Sequence, residues 1–229
     1  MSTLQVVGTG SNGNTYLLTC DCETLVIDCG IKFLETKKML NFNIRGIVGA
    51  VVSHVHGDHS KAIKEYERAG IEVWKPYEDE NLMQKKQMGK FIIKSFPCVH
   101  DVPCVGYLIE HSDSGLKMLY ATDTEYVKYT FRGLTAMLIE ANYSEEYVNR
   151  DEAKFQHVLT GHMSIETASE CIKANMNDSL KNIILCHLSK GNSDPLAFKE
   201  SVKAIVPDGV QVDIATPRLT VELNGKEKT

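Results

Sequence analysis

The residues with the clearest potential for chemistry form one segment, His54-Val55-His56-Gly57-Asp58-His59. Imidazole and carboxylate groups are suitable ligands for zinc, manganese or iron at neutral pH. In extended backbone His54 and His56 project to the same side, so both can bind one metal ion. Asp58 and His59 come after a turn and can reach a second ion. The segment directly follows an apolar run that predicts a buried strand. A chance cluster of polar residues on the surface would not need this position, so the segment indicates a metal site.

Six residues cannot complete two coordination shells, so further ligands are expected where other strands end. His100 follows a predicted strand at 91–96, Asp123 follows one at 117–121, and His187 follows one at 183–186. Strand ends of this kind gather along one edge of a sheet. A carboxylate such as Asp123 can bridge two cations. Two metals about 3.5–4 Å apart would hold a hydroxide between them and clamp the attacking and leaving oxygens of a hydrolytic reaction.

Strands and helices alternate along the chain and lead into these residues. Strands are predicted at 4–8, 16–19, 25–28, 47–53, 71–74, 91–96, 106–110, 117–121, 136–140, 183–186, 210–214 and 219–223. Helices are predicted at 32–40, 61–69, near 78–87, at 164–174 with Ser164 as N-cap, and at 195–204 with Asp194 as cap. Hairpins in both halves indicate sheets packed face to face with helices outside them.

Composition indicates a globular protein. The chain has 229 residues, 43% of them hydrophobic, and no Pro/Ser/Gly-rich linker interrupts it, so we expect one domain over 1–229. The first residues do not resemble a signal peptide, and no apolar run approaches the roughly 20 residues that span a bilayer. Seven irregularly spaced cysteines fit a reducing compartment. We therefore expect a cytoplasmic protein without membrane contact. Cys20-Asp21-Cys22 lies between two apolar runs, and we predict a hairpin turn there.

Charge favours a small substrate over a long nucleic acid. The formal net charge is -5 and only five basic residues are arginine, whereas a protein that follows a nucleic acid normally shows a basic stripe. The densest basic stretch, Lys85, Lys86, Lys90 and Lys94, is interpreted as a solvated helix face and strand start. A local patch of lysines would still allow nucleic-acid binding.

The complete ligand pattern resembles that of the metallo-β-lactamase fold superfamily, and the likeness covers nearly the whole chain. The resemblance implies an α/β fold, a four-layer αβ/βα sandwich of two mixed β-sheets with helices on both outer faces. It also implies a division of the ligands. Metal one would take His54, His56 and His100, metal two would take Asp58, His59 and His187, and Asp123 would bridge them.

Within the superfamily, the ligands resemble those of the phosphodiesterase branch. The loop Gly10-Ser11-Asn12-Gly13-Asn14 and the segment Gly161-His162-Met163-Ser164 are similar to those of YycJ/WalJ-type nucleases. The second segment also resembles the His-Ser/Thr element of ribonuclease Z, and the set resembles phage anti-Pycsar cyclic-nucleotide phosphodiesterases. The chain lacks the long exosite arm of ribonuclease Z. The interval between Asp123 and His187 is too short for the β-CASP insertion of RNA-cleaving relatives.

The remaining candidate residues receive roles by position. We assign catalysis to Asp58 and to His162, the latter as general acid, with capping or phosphate orientation as its alternative. Ser11, Asn12, Asn14 and His162 are assigned to substrate binding, although a plain tight turn explains the first three equally well. Asp28, and Asp101 beside His100, are candidates for orienting ligand histidines through their distal nitrogens, and Glu140 and Asn142 are weaker candidates. Cys98 is assigned to packing, and His111 and His157 to the surface.

These observations predict a di-metal phosphodiesterase that acts on nucleotide phosphodiester bonds through a metal-bound hydroxide. We favour small cyclic nucleotides as substrates, with a YycJ/WalJ-like single-strand DNA exonuclease or other nuclease as the alternative. Thioester or lactone hydrolysis uses the same metals, and a non-catalytic metal-bound binding protein is the least favoured reading. The cofactors are two divalent ions, Zn²⁺ by preference and Mn²⁺ as the alternative. The partners are a nucleotide or nucleic-acid substrate and a second copy of the chain in a homodimer.

Overall fold

The computed structural model describes residues 1–147 and 161–223, and in them thirteen strands form two mixed sheets. The first sheet has the order β13-β1-β2-β3-β4-β5. Its strands are β1 (Ser2–Gly8), β2 (Thr15–Cys20), β3 (Glu23–Ile27), β4 (Ile47–Val51), β5 (Val73–Trp74) and β13 (Thr220–Leu223). β3, β4 and β5 run parallel, and the other pairs are antiparallel.

The second sheet has the order β12-β11-β10-β9-β8-β7-β6. Its strands are β6 (Lys85–Met88), β7 (Phe91–Pro97), β8 (Val105–His111), β9 (Lys117–Ala121), β10 (Ala136–Glu140), β11 (Asn182–Cys186) and β12 (Gln211–Ile214). β9 to β12 run parallel, and β6 to β9 pair antiparallel. The parallel strands of each sheet carry their carboxyl ends to one edge.

Helices cover the outer face of each sheet in the described residues. They are α1 (Phe33–Met39), α2 (Gly57–Ser60), α3 (Ile63–Arg68), α4 (Ile165–Ala174) and α5 (Pro195–Lys203), with a 3₁₀ turn at Pro76–Glu78. The predicted caps are confirmed. The Ser164 side chain accepts a hydrogen bond from the Thr167 N–H, and the Asp194 side chain accepts from the N–H groups of Leu196 and Ala197.

Three apolar clusters hold the layers together. One lies between the sheets and joins residues such as Leu18 and Ile109 from opposite sheets. A second packs α4 and α5 on the second sheet, and a third packs α1 and α3 on the first. Continuous burial of the parallel strands β10 and β11 agrees with coverage of both faces. The predicted four-layer α/β sandwich is confirmed, and no helix in residues 1–147 or 161–223 is long and apolar enough to cross a membrane.

Two local predictions are wrong. The helix predicted near 78–87 is a 3₁₀ turn followed by strand β6, because 85–88 pairs with β7 and places the Met88 side chain over Gly49. This tertiary contact overrides the helical preference of the Lys-Lys-Gln-Met sequence. His111 was predicted on the surface but is buried, with its ring against Phe91. His157 lies outside the described residues. The Cys20-Asp21-Cys22 turn is confirmed as the β2–β3 connection.

Three connections interlock at the edge where the parallel strands end. The Asn14 N–H donates to the Asp58 carbonyl at 2.7 Å, and the Gly30 N–H donates to the Asn14 carbonyl at 2.9 Å. A Cβ atom added to Gly30 would overlap the Asp58 carbonyl oxygen. The segment that carries Asp58 therefore lies directly on backbone that only glycine permits.

We predict that Gly30→Ala lowers the free energy of unfolding by ~1–3 kcal/mol or more, because the new methyl group meets fixed backbone rather than a movable side chain. Urea unfolding of the purified protein measures the change. Gly191→Ala is the matched control, since nothing lies within 4 Å of the added Cβ there. Equal stability of the two variants would show that the close packing of Gly30 on Asp58 is not required.

Candidate metal centre

The seven predicted ligands come together at this edge, each placed by the end of a strand or by the short helix α2. His54 follows β4, Asp123 follows β9 and His187 follows β11, while α2 carries Asp58 and His59. His100 lies in the β7–β8 connection. Although these residues are up to 133 positions apart in the chain, they form overlapping groups whose candidate ligand atoms lie within 4.8 Å of one another.

One group consists of His54, His56 and His100. His56 Nδ1 lies 3.2 Å from His100 Nε2. His54 is fully buried, and among the described residues its Nε2 has no hydrogen-bond partner. Burial lowers the pKa of His54 to about 2, so its imidazole is neutral and offers a lone pair. A buried, unpartnered nitrogen aimed at two other imidazoles fits a cation, which would supply the missing partner.

A second group consists of Asp58, His59 and His187. Asp58 Oδ2 lies 3.5 Å from His59 Nε2 and 3.4 Å from His187 Nε2. Burial favours the neutral form of Asp58, but hydrogen bonds from His187 and His59 outweigh it and hold the Asp58 pKa below its usual range. One carboxylate and two imidazoles again suit a divalent transition metal.

Asp123 connects the two groups. Its Oδ2 lies 3.0 Å from His59 Nε2, and Asp123 also forms a group with His54 and His59. Burial alone would raise the Asp123 pKa, but His187 and His59 keep it well below its usual range, so the carboxylate is ionised. Its position is that of a ligand shared by two cations. The residues thus fit two metal ions, and the ligand assignment remains our proposal.

Asp28 holds one of the candidate ligands, His59, by a hydrogen bond to its Nδ1. It is fully buried and accepts hydrogen bonds from His59 Nδ1 at 2.6 Å, from the Ser53 N–H at 2.7 Å, and from the Ser53 and Tyr120 hydroxyls. The bond to Nδ1 leaves His59 Nε2 to face the metal site. The predicted role of Asp28 is therefore supported by its contacts. Ser53 and Tyr120 were missed, because an ordinary hydroxyl residue carries no signal in the sequence.

Three of the residues in this arrangement have left-handed backbone conformations. Asp28 has φ 59°, Asp123 has φ 51° and His187 has φ 54°. Residues with a Cβ atom seldom adopt such angles, and they persist where the surroundings determine them. Each residue turns the chain at the end of a strand, so the strained angle places its side chain along the edge of the sheet.

Glu140 is the main functional candidate that the sequence analysis ranked too low. It is fully buried at the end of β10, and its Oε1 lies 2.7 Å from His162 Nδ1 and 2.9 Å from His187 Nδ1. Asn142 adds a hydrogen bond to the His187 carbonyl at 2.8 Å. A charged residue inside the otherwise apolar strand Ala-Met-Leu-Ile-Glu was the available signal.

His100 has contacts at both ring nitrogens. Asp101 Oδ1 lies 3.1 Å from His100 Nε2 and 3.6 Å from His56 Nε2, and the orienting role of Asp101 stays a prediction. The Gly161 carbonyl accepts a hydrogen bond from His100 Nδ1 at 2.9 Å. A Cβ atom at Gly161 would lie 2.6 Å from this nitrogen, so the glycine permits the close approach.

The glycine-rich loop between β1 and β2 borders the centre. Ser11 and Asn12 are exposed, and the Lys61 ammonium donates to the Asn12 carbonyl at 2.7 Å. Asn14 is fully buried, with its Nδ2 atom 2.8 Å from His59 Nε2 and its Oδ1 accepting from the Gly10 N–H. Asn14 thus binds the loop to the centre. Substrate contacts by Ser11, Asn12 and Asn14 remain predictions.

Comparison of the sequence with known proteins identifies several relatives. A family model described as "Anti-Pycsar protein Apyc1" matches residues 2–92. Over 234 residues the chain is 25% identical to the exodeoxyribonuclease YycJ of Bacillus anthracis, covering 89% of this chain and 88% of that protein. It is 35% identical to the anti-Pycsar protein Apyc1 of Paenibacillus xerothermodurans over 69 residues, which is 28% of each chain.

Among solved structures, the metallo-β-lactamase fold protein YhfI from Bacillus subtilis superposes with a TM-score of 0.74. The alignment covers 96% of this chain and 98% of that one at 18% identity. The chain therefore has the metallo-β-lactamase fold, as the sequence pattern predicted. The prediction of a metal-dependent hydrolase is also confirmed at this general level.

The Asp28 network leads to a prediction about metal affinity. Asp28 accepts four hydrogen bonds with two carboxylate oxygens, whereas an asparagine side chain has only one oxygen that can accept. We therefore expect Asp28→Asn to lose part of the network that orients the His59 ring. We expect Asp28→Asn to weaken metal binding ~10–100-fold. Competition with a chromophoric chelator measures the affinity, and Asp208→Asn, which changes an exposed carboxylate, is the control. Equal affinities in a folded Asp28→Asn protein would contradict the prediction.

Proposed function

We propose that this chain of metallo-β-lactamase fold is a di-metal phosphodiesterase that hydrolyses phosphodiester bonds of nucleotides, with small cyclic nucleotides as preferred substrates. The observation that supports the proposal is that the candidate metal ligands and His162 lie together at one edge of the sheets. Two ligand groups joined by Asp123 lie beside His162, which belongs to neither of them and lies 2.7 Å from Glu140 Oε1. His162 also falls in a further group of candidate ligands with Asp123, Glu140 and His187, and we assign it to proton transfer. The relatives identified above support a metal-dependent nucleotide hydrolase, and the preference for cyclic nucleotides is ours.

The ligand set supplies the conditions for attack on a phosphodiester. His54, His56 and His100 would hold one cation, Asp58, His59 and His187 would hold the other, and Asp123 would contact both. When bound, two divalent cations lower the pKa of coordinated water and neutralise charge on the phosphate oxygens. We favour Zn²⁺, with Mn²⁺ as the alternative, because imidazole and carboxylate ligands suit both. Asp58, at the rim of the second group, is the carboxylate that can accept a proton from the attacking water.

His162 provides the remaining element, a proton for the leaving oxygen. The Glu140 carboxylate accepts the Nδ1–H of His162, and we assign delivery of the proton to the opposite nitrogen, Nε2. Burial would lower the His162 pKa, but Glu140 and then Asp123 outweigh burial and raise it. The raised pKa increases the share of the imidazolium form, which is the form a general acid needs.

The distribution of lysines supports a small substrate. In the basic stretch at 85–94, three lysines are paired with acids: Lys86 with Glu72, Lys90 with Asp113 and Lys94 with Glu110. These pairs remove most of the positive field that a long nucleic acid would follow. In contrast, Lys61 makes no ion pair within the described part of the chain and lies beside the glycine-rich loop. One amine near the centre suits a single phosphate.

A nuclease is the second candidate. The exodeoxyribonuclease YycJ resembles this chain along most of its length, whereas the Apyc1 relative matches 28% of it. A single-strand exonuclease would use the same centre and the same proton donor. Homodimer formation also remains a prediction, and a neighbouring subunit that narrows the entrance would favour small substrates.

The two candidates predict different substrates for the metal-loaded protein. Cyclic mononucleotides and single-stranded DNA are offered side by side, and products are separated by chromatography. We expect hydrolysis of cyclic nucleotides without degradation of DNA. Asp123→Ala, which removes the shared ligand, should abolish activity and lower metal content.

The other outcomes are equally informative. Degradation of DNA alone would replace the proposal with the nuclease. No hydrolysis of either substrate by protein with metal bound would refute the phosphodiesterase and favour thioester or lactone hydrolysis.

The proposed proton donor can be tested separately. We expect His162→Ala to slow hydrolysis ~10²–10⁴-fold when the leaving group is an alkoxide, which needs a proton. The loss should be much smaller with bis(p-nitrophenyl) phosphate, because nitrophenolate leaves without protonation. Glu140→Gln should show the same dependence on the leaving group on top of a loss common to both substrates, because Glu140 also contacts His187. Equal losses on both substrates would assign His162 to phosphate orientation instead.

A further inference from the structure

Two cysteines face each other where the loop that carries His100 begins and ends. β7 and β8 pair antiparallel up to Pro97 and Val105, and Cys98 and Cys104 form the next pair in this register. The Cys98 N–H donates to the Cys104 carbonyl at 2.9 Å, so the ladder continues to this position. Residues that pair in this way have Cα atoms about 5.5 Å apart, which lies inside the range that a disulfide spans.

The two thiols lie on the same face of the sheet. Side chains alternate along a strand, so Cys98 shares the face of Phe96, and Cys104 shares the face of its partner position Gly106. Cys98 packs against the apolar cluster that contains Phe96. Burial first, and then contact with the Cys98 side chain, raise the pKa of the Cys104 thiol. Both cysteines are reduced, Cys98 is half-buried and Cys104 is buried.

This pair lies between two elements of the candidate metal centre. His100 belongs to the five residues between the cysteines. The Cys104 thiol donates to the carbonyl of Thr122, the residue before Asp123, at 3.9 Å. The same loop is bonded to the segment after Asp123, because the Val99 N–H donates to the Thr124 hydroxyl at 2.9 Å and the Val99 carbonyl accepts from the Glu125 N–H at 3.0 Å. A change at the cysteines therefore reaches both His100 and Asp123.

We propose that Cys98 and Cys104 form a site of reversible oxidation, in which a low-molecular-weight disulfide converts the two thiols into a disulfide that closes the His100 loop. The half-buried Cys98 sulfur attacks the small disulfide and releases one small thiol. The Cys104 sulfur then attacks Cys98 in the mixed disulfide and releases the second. The cysteine pair loses two electrons and two protons, and one small disulfide is reduced to two thiols.

Oxidation would change the contacts that hold the loop of His100 and the segment around Asp123 in place. The Cys104 sulfur loses the hydrogen that it donates to the Thr122 carbonyl, and both cysteines must shift to reach bonding distance. Because the loop is bonded to the segment around Asp123, we expect the oxidised protein to bind metal ~10-fold or more weakly, as for other losses of outer support around metal ligands. This consequence rests on the proposed metal ligands, but formation of the disulfide does not.

Both steps can be measured without an activity assay. The full chain is treated with oxidised glutathione, free thiols are alkylated, and tryptic peptides are weighed. No Lys or Arg lies between Ser95 and Leu116, so both cysteines fall in the peptide 95–117. We expect this peptide to lose two hydrogen atoms in mass and to escape alkylation, and a phosphine reductant should reverse both effects. Chelator competition should show the fall in metal affinity in the same sample.

Three variants complete the experiment. Cys98→Ser and Cys104→Ser should bind metal normally and lose the response to oxidant, whereas Cys22→Ser, which changes the exposed cysteine, should keep it. Two alkyl groups or two glutathione adducts on peptide 95–117 after oxidation would overturn the proposed disulfide. A disulfide that leaves metal affinity unchanged would overturn its effect on the centre while leaving the proposed function intact.

Discussion

The buried carboxylate of Asp28 is the interaction on which the arrangement of the centre depends. It lies at the end of β3 in the first sheet, accepts from Ser53 after β4, holds His59 of α2, and accepts from Tyr120 of β9 in the second sheet. A buried charge is costly unless hydrogen bonds replace its water, and here four donors do so. The four donors can converge only when both sheets and the α2 segment have the observed relative positions. The requirement to satisfy one carboxylate therefore also fixes the separation of the ligands.

Glycine and left-handed backbone serve the same purpose on the opposite sides of the centre. Gly30 allows the Asp58 segment to lie on the backbone, and Gly161 allows a carbonyl to reach His100. Asp123 and His187 accept unfavourable φ angles at strand ends. Such angles are retained where the surrounding structure determines them, and both residues are buried. The burial of the apolar clusters thus offsets the free energy that these left-handed conformations cost.

The seven residues that the sequence indicates as ligands lie close together in the structure, because each combines a distinctive residue type with a recognisable position at or just after the end of a strand. The four-layer fold followed from the alternation of elements and from the family resemblance of the ligand pattern. Glu140 was undervalued because its importance arises from contacts with His162 and His187, which are 22 and 47 residues away. The helix predicted near 78–87 and the surface position predicted for His111 were wrong for the same reason. Pairing with β7 and packing against Phe91 are tertiary effects that local sequence does not express.

The charges of the centre explain why it suits cations and also an anionic substrate. Asp28, Asp58, Asp123 and Glu140 carry four formal negative charges at buried or partly buried positions, and each contacts a histidine of the cluster. Two divalent cations carry four positive charges, so metal binding would neutralise these carboxylates as a group. In the proposed reaction, a phosphodiester would then meet a nearly neutral site, and His162 and Lys61 would supply the remaining attraction. Because Glu140 contacts both His162 and His187, the same carboxylate supports the proposed proton donor and a proposed metal ligand. The position of His162 is thereby fixed relative to the proposed metal site, as the proposed protonation of a leaving oxygen would require.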